Sequence, residues 1–124
     1  SFDGKLSLGL NARFRFYRYG EGDYFKPHTD GAWPGSRVID NRLVADSYGD
    51  RLSQMTMLIF LSDDYDGGAT LFHTDQTTVA TVSTPKGAAL VFPHGMHPQH
   101  CVHAGEEITR GQKYIIRTDV LYAY

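Results

Sequence analysis

Thirteen glycines and five prolines punctuate the 124-residue chain so often that no amphipathic helical window persists beyond a turn or two. What survives between the breaks is short, period-2 patterning, so the chain is restricted to strands and turns. Leu10 to Tyr19 alternates aromatic with basic or polar side chains, the pattern of a half-buried strand. Gly20-Glu21-Gly22 then turns into a second strand, Tyr24 to Thr29. Leu52 to Leu61 is the strongest strand and, being nearly all apolar in its second half, is expected at the centre of a sheet. Ser62 to Gly68 reads as a turn in which Gly67 and Gly68 take positive φ at little cost. Short strands follow at Ala69 to His73, Thr77 to Val82, Ala88 to Phe92 and Pro98 to His103, and a longer one at Gln112 to Tyr122. Eight short strands with few or no helices predict an all-β sandwich or barrel of the jelly-roll kind. Asp30 to Asp50, with Pro34, three glycines and several charges, reads as a long loop, and such loops in compact domains usually serve function or move.

The length fits one domain, residues 1–124, expected to act as a monomer. A start at Ser1 without Met or a signal-peptide pattern suggests a domain trimmed at its N-terminus. The formal charge of -2 and the lack of a broad basic run argue against nucleic-acid or membrane-surface partners. Arg13, Arg15 and Arg18 read accordingly as a solvated face. The longest apolar run, Met57 to Leu61, has the length of a strand rather than of a membrane span. A lone cysteine, Cys101, excludes an internal disulfide and favours a reducing compartment, cytoplasmic or nuclear; it reads as a small buried residue.

The chemistry centres on His28-Thr29-Asp30. Residues two apart on a strand project to one face, so an imidazole and a carboxylate reach the same point. Non-haem Fe(II) oxygenases use two histidines and one carboxylate on one face of the metal, leaving the other open. His103 supplies the second imidazole, ten residues before Lys113. His94, His97, His100 and His103 also recur every third residue, but Gly95 and Pro98 interrupt any helix that would align them. On a strand His94 and His100 point away from His97 and His103, which leaves His103 as the ligand and the others as surface or supporting groups. Lys113 and Arg117 share strand parity; Lys113 is the expected anchor for a dicarboxylate, while Arg117 either shares that charge or pairs with Asp119. Trp33, Arg37 and Tyr48 in the long loop are candidate substrate contacts.

The run Tyr19-Gly-Glu-Gly-Asp-Tyr-Phe-Lys-Pro-His28, the segments Leu61 to Phe72 and Pro85 to Phe92, and Gly111-Gln-Lys-Tyr114 give a resemblance. From about Arg13 to Tyr122 the chain is similar to the prolyl 4-hydroxylase-type domain of the 2-oxoglutarate/Fe(II)-dependent dioxygenases. The resemblance implies a double-stranded β-helix in which His28, Asp30 and His103 hold Fe(II). It implies that Lys113 and Tyr19 receive the far carboxylate of 2-oxoglutarate. It also implies O2 as co-reactant, ascorbate as an accessory reductant, and a protein, peptide or small-molecule substrate. The first expectation is a prolyl residue, hydroxylated with release of succinate and CO2. One departure is Phe25, where the family often has a tyrosine. Two other readings stay open: a cupin-like metal-dependent hydrolase or isomerase, and a noncatalytic β-sandwich binding module whose histidines are incidental.

Overall fold

The computed structural model describes residues 4–75 and 77–124, and among them finds strands and turns but no helix. The strands are β1 (Ser7–Leu10), β2 (Arg15–Tyr19), β3 (Phe25–His28), β4 (Arg37–Ile39), β5 (Arg42–Val44), β6 (Arg51–Phe60) and β7 (Tyr65–Gly67). They continue as β8 (Thr70–Thr74), β9 (Thr77–Val82), β10 (Ala89–Pro93), β11 (Val102–Gly105), β12 (Ile108–Gly111) and β13 (Lys113–Ala123). All pairings are antiparallel. One sheet runs β1-β13-β6-β10 with β2 also on β13; a second runs β3-β11-β8-β9, and β7-β12 and β4-β5 form two-stranded pairs. As its apolar second half predicts, β6 lies inside a sheet, between β13 and β10.

The sheets meet through their inner side chains. Phe92 of β10 packs edge-on against Phe72 of β8 and tilts over His103 of β11, at ring centroid distances of 5.3 and 4.5 Å. Phe60, Phe92, Ile108, Ile115 and Leu121 are buried, each worth roughly 1.5–3 kcal/mol relative to exposure. Gly67 and Gly68 take φ of 76° and 73°. A Cβ on Gly67 would strike the Glu107 carbonyl and one on Gly68 the Ile108 side chain, so both turn positions need glycine.

The structure corrects several sequence expectations. Leu10 to Tyr19 is not one strand but the last residue of β1, a break and then β2, because buried Asn11 turns its amide toward the long loop: Nδ2 donates to Pro34 O and Oδ1 accepts from Ser36 N. The Asp30 to Asp50 segment is not irregular throughout; β4 and β5 pair as a hairpin within it. Its Asp40-Asn41 turn has φ of 51° and 62°, the double positive φ that tight hairpins require. Pro98 to Cys101 is turn rather than strand, since His97 N and His100 N donate back to His94 O and His97 O. Tyr65–Gly67 is a short strand within the expected turn, paired with β12. Arg13 and Arg15 are half-buried, not solvated, because they share parity with the inward Tyr17 and Tyr19; Arg18 is exposed. Cys101 is half-buried, and desolvation raises its thiol pKa.

Candidate metal centre

Two adjacent strands bring the ligands together. His103 of β11 lies opposite His28 of β3 in the antiparallel register, with ring centroids 4.2 Å apart. Asp30, two residues beyond His28, projects toward the same point: its Oδ1 lies 3.3 Å from His28 Nε2 and its Oδ2 3.5 Å from His103 Nε2. One ligand atom from each of the three residues falls within 4.8 Å of the others.

The supporting hydrogen bonds fit a metal. His28 Nδ1 faces Lys26 O at 2.7 Å and His103 Nδ1 faces Cys101 O at 3.2 Å. A carbonyl only accepts, so each Nδ1 carries a proton, which leaves Nε2 as the atom each ring can give to a metal. Asp30 Oδ2 accepts from Thr56 Oγ1 at 2.8 Å and Oδ1 from Arg117 Nη1 at 3.1 Å. Burial raises the Asp30 carboxyl pKa, but His28, Arg117, His103 and Thr56 together hold it well below the usual carboxylate range. Burial lowers His28, yet its bonds to Asp30 and the Lys26 carbonyl prevail and raise it; at His103 desolvation prevails and lowers it. An ionised carboxylate between two histidines is the donor set that non-haem iron takes.

The same cleft is lined by Tyr19, His28, Asp30, His103, Lys113 and Arg117. Lys113 and Tyr19 are register partners on β13 and β2. The Lys113 ammonium is buried, donates to Gly68 O at 2.7 Å, and sits 5.6 Å from the Tyr19 ring centroid and 5.3 Å from that of Phe60. Desolvation lowers its pKa to about 8 and raises that of Tyr19 to about 12. Arg117 pairs with Asp119 at 3.4 Å, as one of its two expected roles has it, and also donates to Asp30 at 3.1 Å.

Trp33, Arg37 and Tyr48 do not line the cleft. Arg13 stacks on Trp33 at 3.6 Å, and Tyr48 lies between Arg51 at 3.9 Å and Arg37 at 5.5 Å. Sequence reasoning missed Thr56 and Ser53, and left His94 among surface or supporting groups. His94 is fully buried. The hydroxyl residues Ser53 and Thr56 inside a central strand were the available signal, since buried hydroxyls need partners.

A two-histidine, one-carboxylate centre between the sheets of a jelly roll, with a buried cation in the same cleft, defines a non-haem iron oxygenase type of site. The chain belongs to the 2OG-Fe(II) oxygenase superfamily, whose family model matches residues 14–118 and whose cofactors are Fe(II), 2-oxoglutarate and O2. Three solved structures share its fold. An oxidoreductase of the 2OG-Fe(II) oxygenase family from Burkholderia pseudomallei is 15% identical with a TM-score of 0.60, covering 94% of this chain and 43% of its own. A Pseudomonas putida prolyl-4-hydroxylase is 20% identical with a TM-score of 0.54, covering 94% and 53%. The viral collagen prolyl hydroxylase of Paramecium bursaria Chlorella virus-1 is 20% identical with a TM-score of 0.50, covering 92% and 63%. This chain therefore spans less than two thirds of each of these relatives. No curated protein matches its sequence.

Proposed function

We propose that this chain is the catalytic core of an iron(II)- and 2-oxoglutarate-dependent dioxygenase that hydroxylates an unactivated C–H bond, with a prolyl residue of a protein or peptide as the first substrate to test. The observation that carries this reading is the convergence of His28, Asp30 and His103 within 4.8 Å, with buried Lys113 lining the same cleft. The bound iron supplies the oxidation, in which 2-oxoglutarate, O2 and R–H become succinate, CO2 and R–OH.

The residues have separable tasks. His28 and His103 present Nε2 lone pairs, and Asp30 is the anionic ligand. Lys113 and Tyr19 take the far carboxylate, the ammonium as a compact charge in a desolvated wall and the phenol as a hydrogen-bond donor. Arg117 braces Asp30. The β4–β5 hairpin follows Asp30 in the chain, and its exposed apolar side chains make it the candidate contact for substrate.

The test is anaerobic titration with Fe(II) and then 2-oxoglutarate, followed by aerobic incubation with proline-containing peptides. Succinate formed in step with a hydroxylated peptide supports the reading. Metal binding without any succinate would instead favour a metal hydrolase or isomerase, and no metal binding would favour a noncatalytic module.

A further inference from the structure

His94 stands at the middle of a hydrogen-bond chain that ends on the candidate metal ligand. Its Nδ1 lies 2.7 Å from Thr56 Oγ1, and its Nε2 lies 2.7 Å from Ser53 Oγ. Thr56 Oγ1 is 2.8 Å from Asp30 Oδ2, and the Trp33 amide donates to Ser53 Oγ at 2.9 Å. The directions of these bonds follow from donor counting. Ionised Asp30 only accepts, so the single Thr56 hydroxyl proton goes to it. Thr56 Oγ1 must then accept from His94, which places a proton on Nδ1. Ser53 Oγ already accepts the Trp33 N–H, so its own proton is free to point at Nε2. Burial, which lowers the His94 pKa, favours the neutral ring that this arrangement needs.

We propose that His94 is a positioning residue, a neutral Nδ1–H imidazole relaying one unbroken run of donors from the Trp33 amide through Ser53 and Thr56 to the Asp30 carboxylate. The proposal deepens the dioxygenase reading and rests on it for its catalytic meaning. With Thr56 on Oδ2 and Arg117 on Oδ1, the plane of the carboxylate is fixed before a metal arrives. The far end of the relay fastens the loop three residues beyond Asp30, so ligand orientation and loop placement depend on the same buried ring. Bonds that all run one way polarise one another, and Phe, Leu or Met at this position would fill the space without carrying the relay.

Three measurements test it. In the Zn(II)-loaded, unmutated protein at neutral pH, nitrogen NMR with labelled histidine should show His94 neutral with its proton on Nδ1. An Nε2–H tautomer or an imidazolium would overturn the relay. In His94→Ala, affinity for Co(II) should fall about 10- to 100-fold, the usual cost of losing an outer-shell partner of a ligand. Added imidazole, which both donates and accepts, should restore that affinity, whereas 1-methylimidazole, which has no N–H, should not. Equal rescue by both would show that the ring merely fills space and would overturn the proposal. Failure of the dioxygenase reading would look different, as absent succinate despite the expected tautomer and imidazole-specific rescue.

Discussion

His28 and His103 face each other across one rung of the β3–β11 pair, their ring centroids 4.2 Å apart, and Asp30 closes the triangle from two residues further along. The triangle is thus set by strand register, and a slip of one residue would send His103 to the other face. Asp30→Ala removes the only anion from this group. Calorimetric titration of that variant should show loss of divalent-metal binding with the fold retained by circular dichroism. Metal affinity close to that of the unmutated chain would mean that the ion is held elsewhere.

Lys113 should govern the second ligand. A hydrogen bond to a charged group is worth roughly 1.5–3 kcal/mol, so Lys113→Ala should weaken 2-oxoglutarate binding about 10- to 100-fold while sparing metal affinity. Lys113→Arg should not fully restore it, because a planar fork is bulkier and differently directed than an ammonium in that wall. Unchanged 2-oxoglutarate affinity in Lys113→Ala would transfer the anchoring role to Arg117.

The pH dependence follows from the depressed Lys113 pKa, about 8 against an ordinary lysine value near ~10.4. Between these values the unfolded chain binds more protons at this group than the folded chain. This residue's contribution therefore makes the empty protein more stable as pH rises through that window. Binding of the dianion has the opposite sign: it needs the ammonium and should weaken as pH climbs above about 8. Near pH 8 it should take up roughly half a proton, visible by calorimetry in buffers of differing ionisation enthalpy. Binding that is flat from pH 7 to 9.5 would show that Lys113 does not hold the ligand.

A stability contrast separates steric conflict from backbone strain. Gly67 and Gly22 have φ of 76° and 87°, but only Gly67 has the Glu107 backbone where a Cβ would go; Gly22 has nothing within 4 Å. Gly22→Ala should cost about 1–2 kcal/mol, the left-handed penalty alone. Gly67→Ala should cost more, because the Glu107 carbonyl also accepts from Gly68 N at 3.2 Å and cannot retreat freely. Urea unfolding of both variants checks the order.

The triad was legible in the sequence because period-2 geometry makes H-x-D a local statement about one face, while the family's spacing brought in His103 and Lys113. Strand β9 was legible to the residue, being bounded by turns on both sides. The supporting shell was not, because its members lie far apart in the chain: Thr56 and His94 are 38 residues apart, and Asp30 and Arg117 are 87 apart. The break at Asn11 was hidden for the same reason, since its cause is the amide's bonds to Pro34 and Ser36. The β4–β5 hairpin had a local signal, Asp40-Asn41 between two short apolar pairs, that the surrounding glycines and charges obscured.

That hairpin yields the last prediction. The root of the segment is fastened: Ser53 N donates to Trp33 O at 2.8 Å, Ser47 N to Gly35 O at 2.9 Å, and Ser36 Oγ to Ala45 O at 2.9 Å. Its tip is different, because every residue of β4 and β5 is exposed, including Val38 and Leu43. Exposed apolar side chains on a two-stranded ribbon contribute little to the fold, since such a ribbon is marginal by itself. They do suit contact with a substrate laid over the cleft. Replacing residues 37–44 with a short glycine-serine link should therefore leave Fe(II) and 2-oxoglutarate binding within about threefold of the parent, as expected for a change remote from both sites. Hydroxylation of substrate should fall at least about tenfold, which corresponds to losing about 1.4 kcal/mol of binding or positioning. Slow succinate formation without product would remain, because the cleft still holds its cosubstrate but no longer seats the C–H bond. Parallel assays of succinate and hydroxylated product give the ratio directly. A shortened chain that hydroxylates at the parental rate would make the hairpin a connector and move substrate recognition to other surfaces around the cleft.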